Sequence, residues 1–183
     1  MALQTKKRLF LLRHAMAGNA LSDGDKARPL APKGKEDAKA LGDYMMRNDF
    51  IPDIILCSPA RRTRETLEGL QSSLELNNIR TPDILYSGTT GDYLHEIQKC
   101  EDKNQNILII AHNPSIYELV ILLAAQGSDT LMQRITEGYP PASLSVIKCV
   151  CDKWADIQPA ENELVNLVNP MDYNSTPRPT RWM

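Results

Sequence analysis

Two of the three histidines in this chain directly follow apolar runs: Arg13-His14 closes RLFLLR, and His112-Asn113-Pro114 follows NILIIA. A third apolar run, DIILC, leads into Ser58-Pro59-Ala60-Arg61-Arg62. Each run has the length of a buried strand. In a mostly parallel sheet the carboxyl ends of such strands share an edge, and ligands collect there. Imidazoles and guanidinium groups gathered at one edge are unfavourable unless an anion or a carboxylate neutralises them. No Asp or Glu adjoins His14 or His112 in the sequence, so a bound anion is the expected neutralising group. Planar guanidinium donors suit two-pronged contact with phosphate oxygens. Arg13 is one candidate, and composition leaves Arg61 and Arg62 both open as the other.

The elements that must position these residues alternate between strand-like and helix-like patterns, which predicts an α/β fold with a mostly parallel sheet covered by helices. Arg8 to Arg13 reads as the first strand, and Pro32 opens a helix through about Arg47, with Ala38, Leu41 and Met45 at helical spacing. Asp53 to Cys57 reads as the second strand and Ala60 to Leu76 as a helix. The segment TPDILYSGTTGDYLHEIQKC predicts a short strand near Ile84 and a helix from about Thr90. Asn106 to Ala111 is a near-continuous apolar strand, followed by a helix through Ala125. Ser143 to Val150 is expected to be the final strand, paired with a short run near Trp154 to Gln158. The end of the chain, NPMDYNSTPRPTRWM, is rich in proline and polar residues and lacks periodicity, which predicts a surface-wrapping or mobile segment. The expected division is one domain over 1–171 and a tail over 172–183.

A chain of 183 residues suits one α/β domain. Charged residues make up 24% with a formal net charge of −2, so no basic field draws the protein to nucleic acid or to an anionic membrane. The apolar runs fall short of the roughly 20 residues of a membrane span. The basic N-terminal stretch precedes an apolar run that Arg13 interrupts, too short for a signal-peptide core, and a cytoplasmic protein is expected. Cys57, Cys100, Cys149 and Cys151 lack C-x-x-C spacing and read as reduced thiols. Cys149 and Cys151 alternate along a predicted strand and favour packing over metal binding. His95 beside Glu96 reads as a surface residue of a helix, and no metal or cofactor is expected. No oligomeric state follows from the sequence.

The segment LFLLRHAMAG resembles the RHG signature of the histidine phosphatase superfamily, the phosphoglycerate-mutase-like proteins, with Ala15 where glycine is usual. GDKARPLAPKG resembles the D-x-x-RPLT-x-x-G stretch of the short SixA-type phosphohistidine phosphatases. CSPARRTRETLEGL resembles their SP-x-x-RA-x-QTA motif and IIAHNPSI their VGHNP motif. The C-terminal pattern of Trp154 followed by ENELVNLVNP is similar to the end of that subfamily, so the likeness covers about residues 8 to 171. It implies a three-layer α/β/α sandwich and a covalent phosphohistidine mechanism. Carried over by position, His14 is the nucleophile, Arg13 and Arg62 are phosphate ligands, and His112 is the second histidine of the pocket, protonated or donating to phosphate. Nearby arginines would lower the pKa of His14 and keep one ring nitrogen available for attack. Arg61 and Arg64 then read as a solvated helix face. Arg28 either extends the pocket or fixes its loop, and Ser58 is expected to cap the following helix.

A phosphomonoester has a poor alkoxide leaving group and calls for a general acid. Acid phosphatases of the superfamily carry aspartate directly after the second histidine, where this chain has Asn113. Mutases use a glutamate from the region in which Asp92 and Glu96 lie, but both of these also fit the start of a helix. SixA-type enzymes lack the acid, and a phosphoramidate explains how: the P–N bond is labile and imidazole is readily protonated. The resemblance therefore implies phosphohistidine on another protein as substrate. The alternatives are a phosphomonoesterase for a small metabolite, using Asp92 or Glu96, and a phosphoprotein-binding module with a vestigial pocket. A cysteine-dependent phosphatase needs arginine six residues after its nucleophile, where Thr63 and Asn106 stand, and the G-x-S-x-G turn of a serine hydrolase is absent.

Overall fold

Four consecutive residues of the first strand, β1 (Arg8–Arg13), are fully buried: Leu9, Phe10, Leu11 and Leu12. A strand that is apolar on both faces requires a covering layer on each side. The computed structural model describes residues 7–20 and 22–174 and supplies both layers as helices. The sheet also contains β2 (Ile54–Cys57), β3 (Ile79–Arg80), β4 (Asn106–Ala111), β5 (Ala124–Gly127), β6 (Leu144–Lys148) and β7 (Asn162–Val168), in the order β3-β2-β4-β1-β6-β7-β5. β6 runs against β1 and β7, and the remaining pairs are parallel.

One face carries Phe10, Leu12, Ile55, Leu108 and Ile110, covered by Leu41 and Met45 of α1 (Pro32–Arg47) and Leu67 and Leu70 of α2 (Arg61–Gln71). After α3 (Ile84–Ser87), the helices α4 (Thr90–Gln98) and α5 (Ser115–Leu123) cover the other face, where Leu9, Leu11, Ile107 and Ile109 meet Tyr93, Ile97, Leu119 and Leu123. Each such side chain contributes about 1.5–3 kcal/mol of burial. The helices α6 (Asp129–Thr136) and α7 (Pro170–Tyr173) complete the three-layer α/β/α sandwich.

Several expected elements differ. The helix starting near Ala60 ends at Gln71 rather than Leu76. The strand expected near Ile84 is the helical turn α3, and the third strand is the exposed pair Ile79–Arg80. The helix expected through Ala125 stops at Leu123, and the chain continues as β5 because β7 offers it a ladder partner. Trp154 lies in a 3-10 turn, Trp154–Asp156, with its indole N–H on the carbonyl of Asn104 at 2.7 Å. The partner of β6 is β7 instead. The start of the polar C-terminal segment is packed: Asn169 caps α7, and the Tyr173 hydroxyl donates to the carbonyl of Ala142 at 2.8 Å. Residues 175–183 of that segment lie outside the described residues. Cys149 and Cys151 pack in the α4/α5-side core, as expected.

Candidate active site

His14 follows β1 and His112 follows the parallel neighbour β4, so the register that pairs Arg13 with Ala111 brings both imidazoles to one sheet edge. The amide of His14 extends this ladder, donating to the carbonyl of Ala111 at 3.1 Å. The two ring centroids are 5.1 Å apart. Between them stands Arg62, from the first turn of α2. Its Nε donates to Nε2 of His14 at 3.3 Å, and its Nη2 to Nδ1 of His112 at 3.3 Å.

These partners set the tautomers. Nδ1 of His14 lies 2.7 Å from the carbonyl of Ala15, which can only accept, so Nδ1 carries the proton and Nε2 keeps its lone pair. At His112 the arginine donor occupies Nδ1, so Nε2 holds the proton and donates to Oγ of Ser58 at 2.8 Å. Both rings are neutral. Burial lowers the pKa of His14 to about 4; the Ala15 hydrogen bond opposes the shift, and the charges of Arg62, Arg13 and Arg28 add to it. Burial, then His14 and Arg62, lowers His112 to about 3. The pKa depression expected of His14 is present, with desolvation ahead of the arginines as its cause. His112 is not protonated in this state: burial disfavours its cation, and its Nδ1 accepts from the guanidinium it shares with His14.

Nη1 of Arg13 donates to the carbonyl of Tyr139 at 2.7 Å, and its charge is among those that act on His14. That loop is held in turn by the amide of Ala142, which donates to the carbonyls of Arg13 and His14 at 3.2 and 3.1 Å. Arg28 joins the site through Asp25, its Nη1 lying 3.5 Å from Oδ1. Arg61 pairs with Glu65 on the surface, and Arg64 is exposed, as expected. Asp92 and Glu96 have other work: Asp92 forms a capping box with Thr89, and Glu96 pairs with Lys99 at 2.7 Å. The Thr89 hydrogen bonds hold the Asp92 carboxyl below its usual range, the wrong direction for an acid. His95 is exposed on α4.

Three residues of the site went unassigned or were misread in the sequence. Asp25, in the 3-10 turn Asp25–Ala27, accepts from Arg62 twice: its carbonyl from Nη1 at 2.8 Å and its Oδ2 from Nη2 at 3.0 Å. Tyr86 of α3 donates to the same Oδ2 at 3.1 Å and sets its ring edge-on to His112 at 5.7 Å. Ser58 orients His112 rather than serving as the N-cap of α2, which is Ala60. The neutralising group absent around the histidines in sequence is therefore present in space. Asp25 lies in the stretch resembling D-x-x-RPLT, the one signal that could have found it.

The loop after His14 is seated on α1 by one close approach. A Cβ on Gly34 would lie 2.1 Å from the carbonyl of Met16, which also accepts from the amide of Ala31 at 2.9 Å. Glycine is required there by contact with backbone, not by its own dihedral angles.

A sheet edge that gathers two neutral imidazoles and a buried guanidinium, with further arginines behind them, defines a protein that can hold a tetrahedral oxyanion against a nucleophilic nitrogen. Comparison with known proteins agrees. Residues 9–85 match the histidine phosphatase superfamily, branch 1. The uncharacterized protein Rv1276c of Mycobacterium tuberculosis is 32% identical over 158 residues, 84% of this chain and 96% of that one. A protein assigned as phosphohistidine phosphatase SixA from Nakamurella multipartitia superposes with a TM-score of 0.76 at 29% identity, over 90% of this chain and 96% of that one. Its counterpart from Agrobacterium tumefaciens gives 0.75 at 26% identity, over 90% and 99%. The chain belongs to the histidine phosphatase superfamily, and that membership supports a phosphatase acting without a metal ion. Among the described residues no helix is long and apolar enough to cross a membrane.

Proposed function

We propose that this phosphatase removes phosphate from phosphohistidine on another protein, by way of a phosphoryl group carried on Nε2 of His14. The observation that carries the reading is the lone pair on that atom, which the Nδ1–H to Ala15 hydrogen bond leaves unprotonated and which accepts from Arg62 in this state. In the first step Nε2 attacks phosphorus and the substrate imidazole leaves; in the second, water attacks and the His14 imidazole leaves. Arg62 releases its donor bond to Nε2 as that lone pair engages, and its guanidinium then faces the equatorial oxygens. Arg13 completes the positive field. An incoming phosphate favours a proton on Nδ1 of His112, which then donates to the anion while Nε2 stays on Ser58.

Phosphohistidine is favoured over an alkyl phosphate because the acids that an alkoxide would need are committed elsewhere: Asp92 to the cap of α4, Glu96 to Lys99. The related proteins assigned as phosphohistidine phosphatase SixA support the same substrate class. The test is to incubate the protein with a histidine-phosphorylated protein domain and follow both phosphate release and acid-labile label on the enzyme. Label on the wild type, none on His14→Ala, and release from the phosphohistidine partner are expected. Rapid turnover of alkyl phosphates with no release from phosphohistidine would overturn the reading.

A further inference from the structure

We propose that Asp25 is a specificity-determining residue: its carboxylate at the rim of the pocket accepts the ring N–H of a phosphorylated imidazole, and so selects a protonated nitrogen heterocycle as leaving group. This rests on the substrate reading above.

In-line displacement places the entering and leaving atoms on opposite sides of phosphorus. The entering atom, Nε2 of His14, is on the buried floor, so the leaving group faces the mouth. Asp25 stands at that mouth. Its side chain is 51% exposed, while Arg62, which it grips, is 8% exposed. Oδ2 is occupied by Arg62 and Tyr86, whereas among the described residues Oδ1 has the 3.5 Å ion pair with Arg28 alone, which leaves lone pairs for a further donor. The charged and titratable groups around it are Arg28 just after its own turn, Arg62 from α2, Tyr86 from α3 and, after β4, His112, whose ring feels the Asp25 charge. Beyond them, the ammonium of Lys26 lies 5.5 Å from the Tyr86 ring and 3.6 Å from Asp83. Desolvation pushes the Asp25 carboxyl up, but Tyr86, Arg62 and Arg28 together hold it below its usual range, so it is an anion.

A carboxylate one guanidinium away from the phosphate position opposes every phosphate that binds. Arg62 and Arg28 offset part of that opposition, and a substrate that brings a positive charge of its own, as a phosphoimidazolium does, offsets more of it. The step then balances without an acid. The lone pair of His14 Nε2 forms the new P–N bond, and the old P–N bond breaks with its electron pair kept by the substrate nitrogen. The ring enters as imidazolium and leaves as neutral imidazole. Its proton stays on the far nitrogen, hydrogen-bonded to Asp25. No proton donor is consumed, which fits a site whose carboxylate, Asp25, is held as an anion by Tyr86, Arg62 and Arg28.

The experiment compares wild type, Asp25→Asn and Asp25→Glu on a phosphohistidine peptide and on p-nitrophenyl phosphate, whose phenolate leaves without a proton, from about pH 6 to about pH 9. For Asp25→Asn, kcat/KM on the peptide is expected to fall about tenfold at the alkaline end, where the substrate ring would otherwise lose its proton. The loss should shrink toward the acidic end. Turnover of p-nitrophenyl phosphate should fall by a smaller factor that does not vary with pH, the cost of loosening Arg62, a thermal melt should show that the variant is folded, and Asp25→Glu should retain the preference for the peptide. An equal loss on both substrates at every pH, as expected if Asp25 only positions Arg62, overturns the role of Asp25 alone. A wild type that carries label on His14 from p-nitrophenyl phosphate but leaves phosphohistidine untouched overturns the substrate reading instead.

Discussion

The Nε–H of Arg62 and the bare Nε2 of His14 face each other across 3.3 Å, and both residues are more than nine-tenths buried. A guanidinium cannot surrender its proton to the imidazole, so the pairing keeps Nε2 unprotonated without consuming it. The same arginine reaches His112 and Asp25, and four hydrogen bonds converge on one side chain.

Arg62→Lys tests that convergence. An ammonium is a point charge and cannot donate to two imidazoles and a carboxylate in fixed directions. The variant is expected to fold and to lose about 10²–10³ in kcat/KM, the effect of removing a preorganised donor. Steady-state kinetics beside a thermal melt checks both parts.

Acid pH should act on activity and stability over different ranges. Attack needs the His14 lone pair, so the acid limb of kcat/KM should fall near the folded pKa of about 4 rather than near 6.5. Both histidines have folded pKa values below those of the unfolded chain, which therefore binds more protons as pH falls below 6.5. Stability should decline from there down to about 4 for His14 and about 3 for His112, by about 2 kcal/mol per histidine at pH 5. Urea unfolding at a series of pH values should show the decline, and a His14→Asn, His112→Asn double variant should show less of it.

Ser58→Ala removes the acceptor that fixes the His112 tautomer. A buried Nε2–H left without its partner costs about 1–3 kcal/mol, or the ring flips and forfeits its contact with Arg62. The expected result is a lower melting temperature with kcat reduced about tenfold or more. Ser58→Thr, which restores a hydroxyl, should recover part of both.

Gly34→Ala should be costly although the position is helical. Alanine ordinarily favours a helix over glycine by about 1 kcal/mol. Here the added methyl meets the Met16 carbonyl at 2.1 Å, so α1 and the loop after His14 must separate. A net destabilisation of about 1–3 kcal/mol, measured by urea unfolding, is the expected outcome.

The strands that carry the two histidines were legible because each is apolar on both faces, which in a chain of this size points to a covered sheet. The failures lie where local pattern is weak. Ile84-Leu85 is too short a run to separate strand from helix, and the turn is fixed by Tyr86 reaching Asp25, a contact 61 residues away in sequence. In β7 the alternation is broken by the bulge that shifts pairing between Val146 and Ile147, so LVNLV does not read as a strand. Arg13, His14 and His112 could be located because each sits at an element boundary, whereas Arg62 was separated from Arg61 only by the motif resemblance. Asp25 could not be assigned, because its meaning comes from an arginine 37 positions later.

The floor and the rim of this pocket differ in how the chain holds them. His14 leaves the sheet from β1, which is hydrogen-bonded on both sides, to β4 and to β6. Asp25 rides on a single 3-10 turn with no buried residue. Amide hydrogens of β1 should therefore exchange with solvent only through global unfolding, while those around Asp25 exchange through local opening. Heat should then abolish nucleophilic function together with the fold, whereas substitutions in the turn can change substrate preference with little cost to the sheet. The backbone that carries the nucleophile draws its stability from the sheet and not from the turn that carries Asp25.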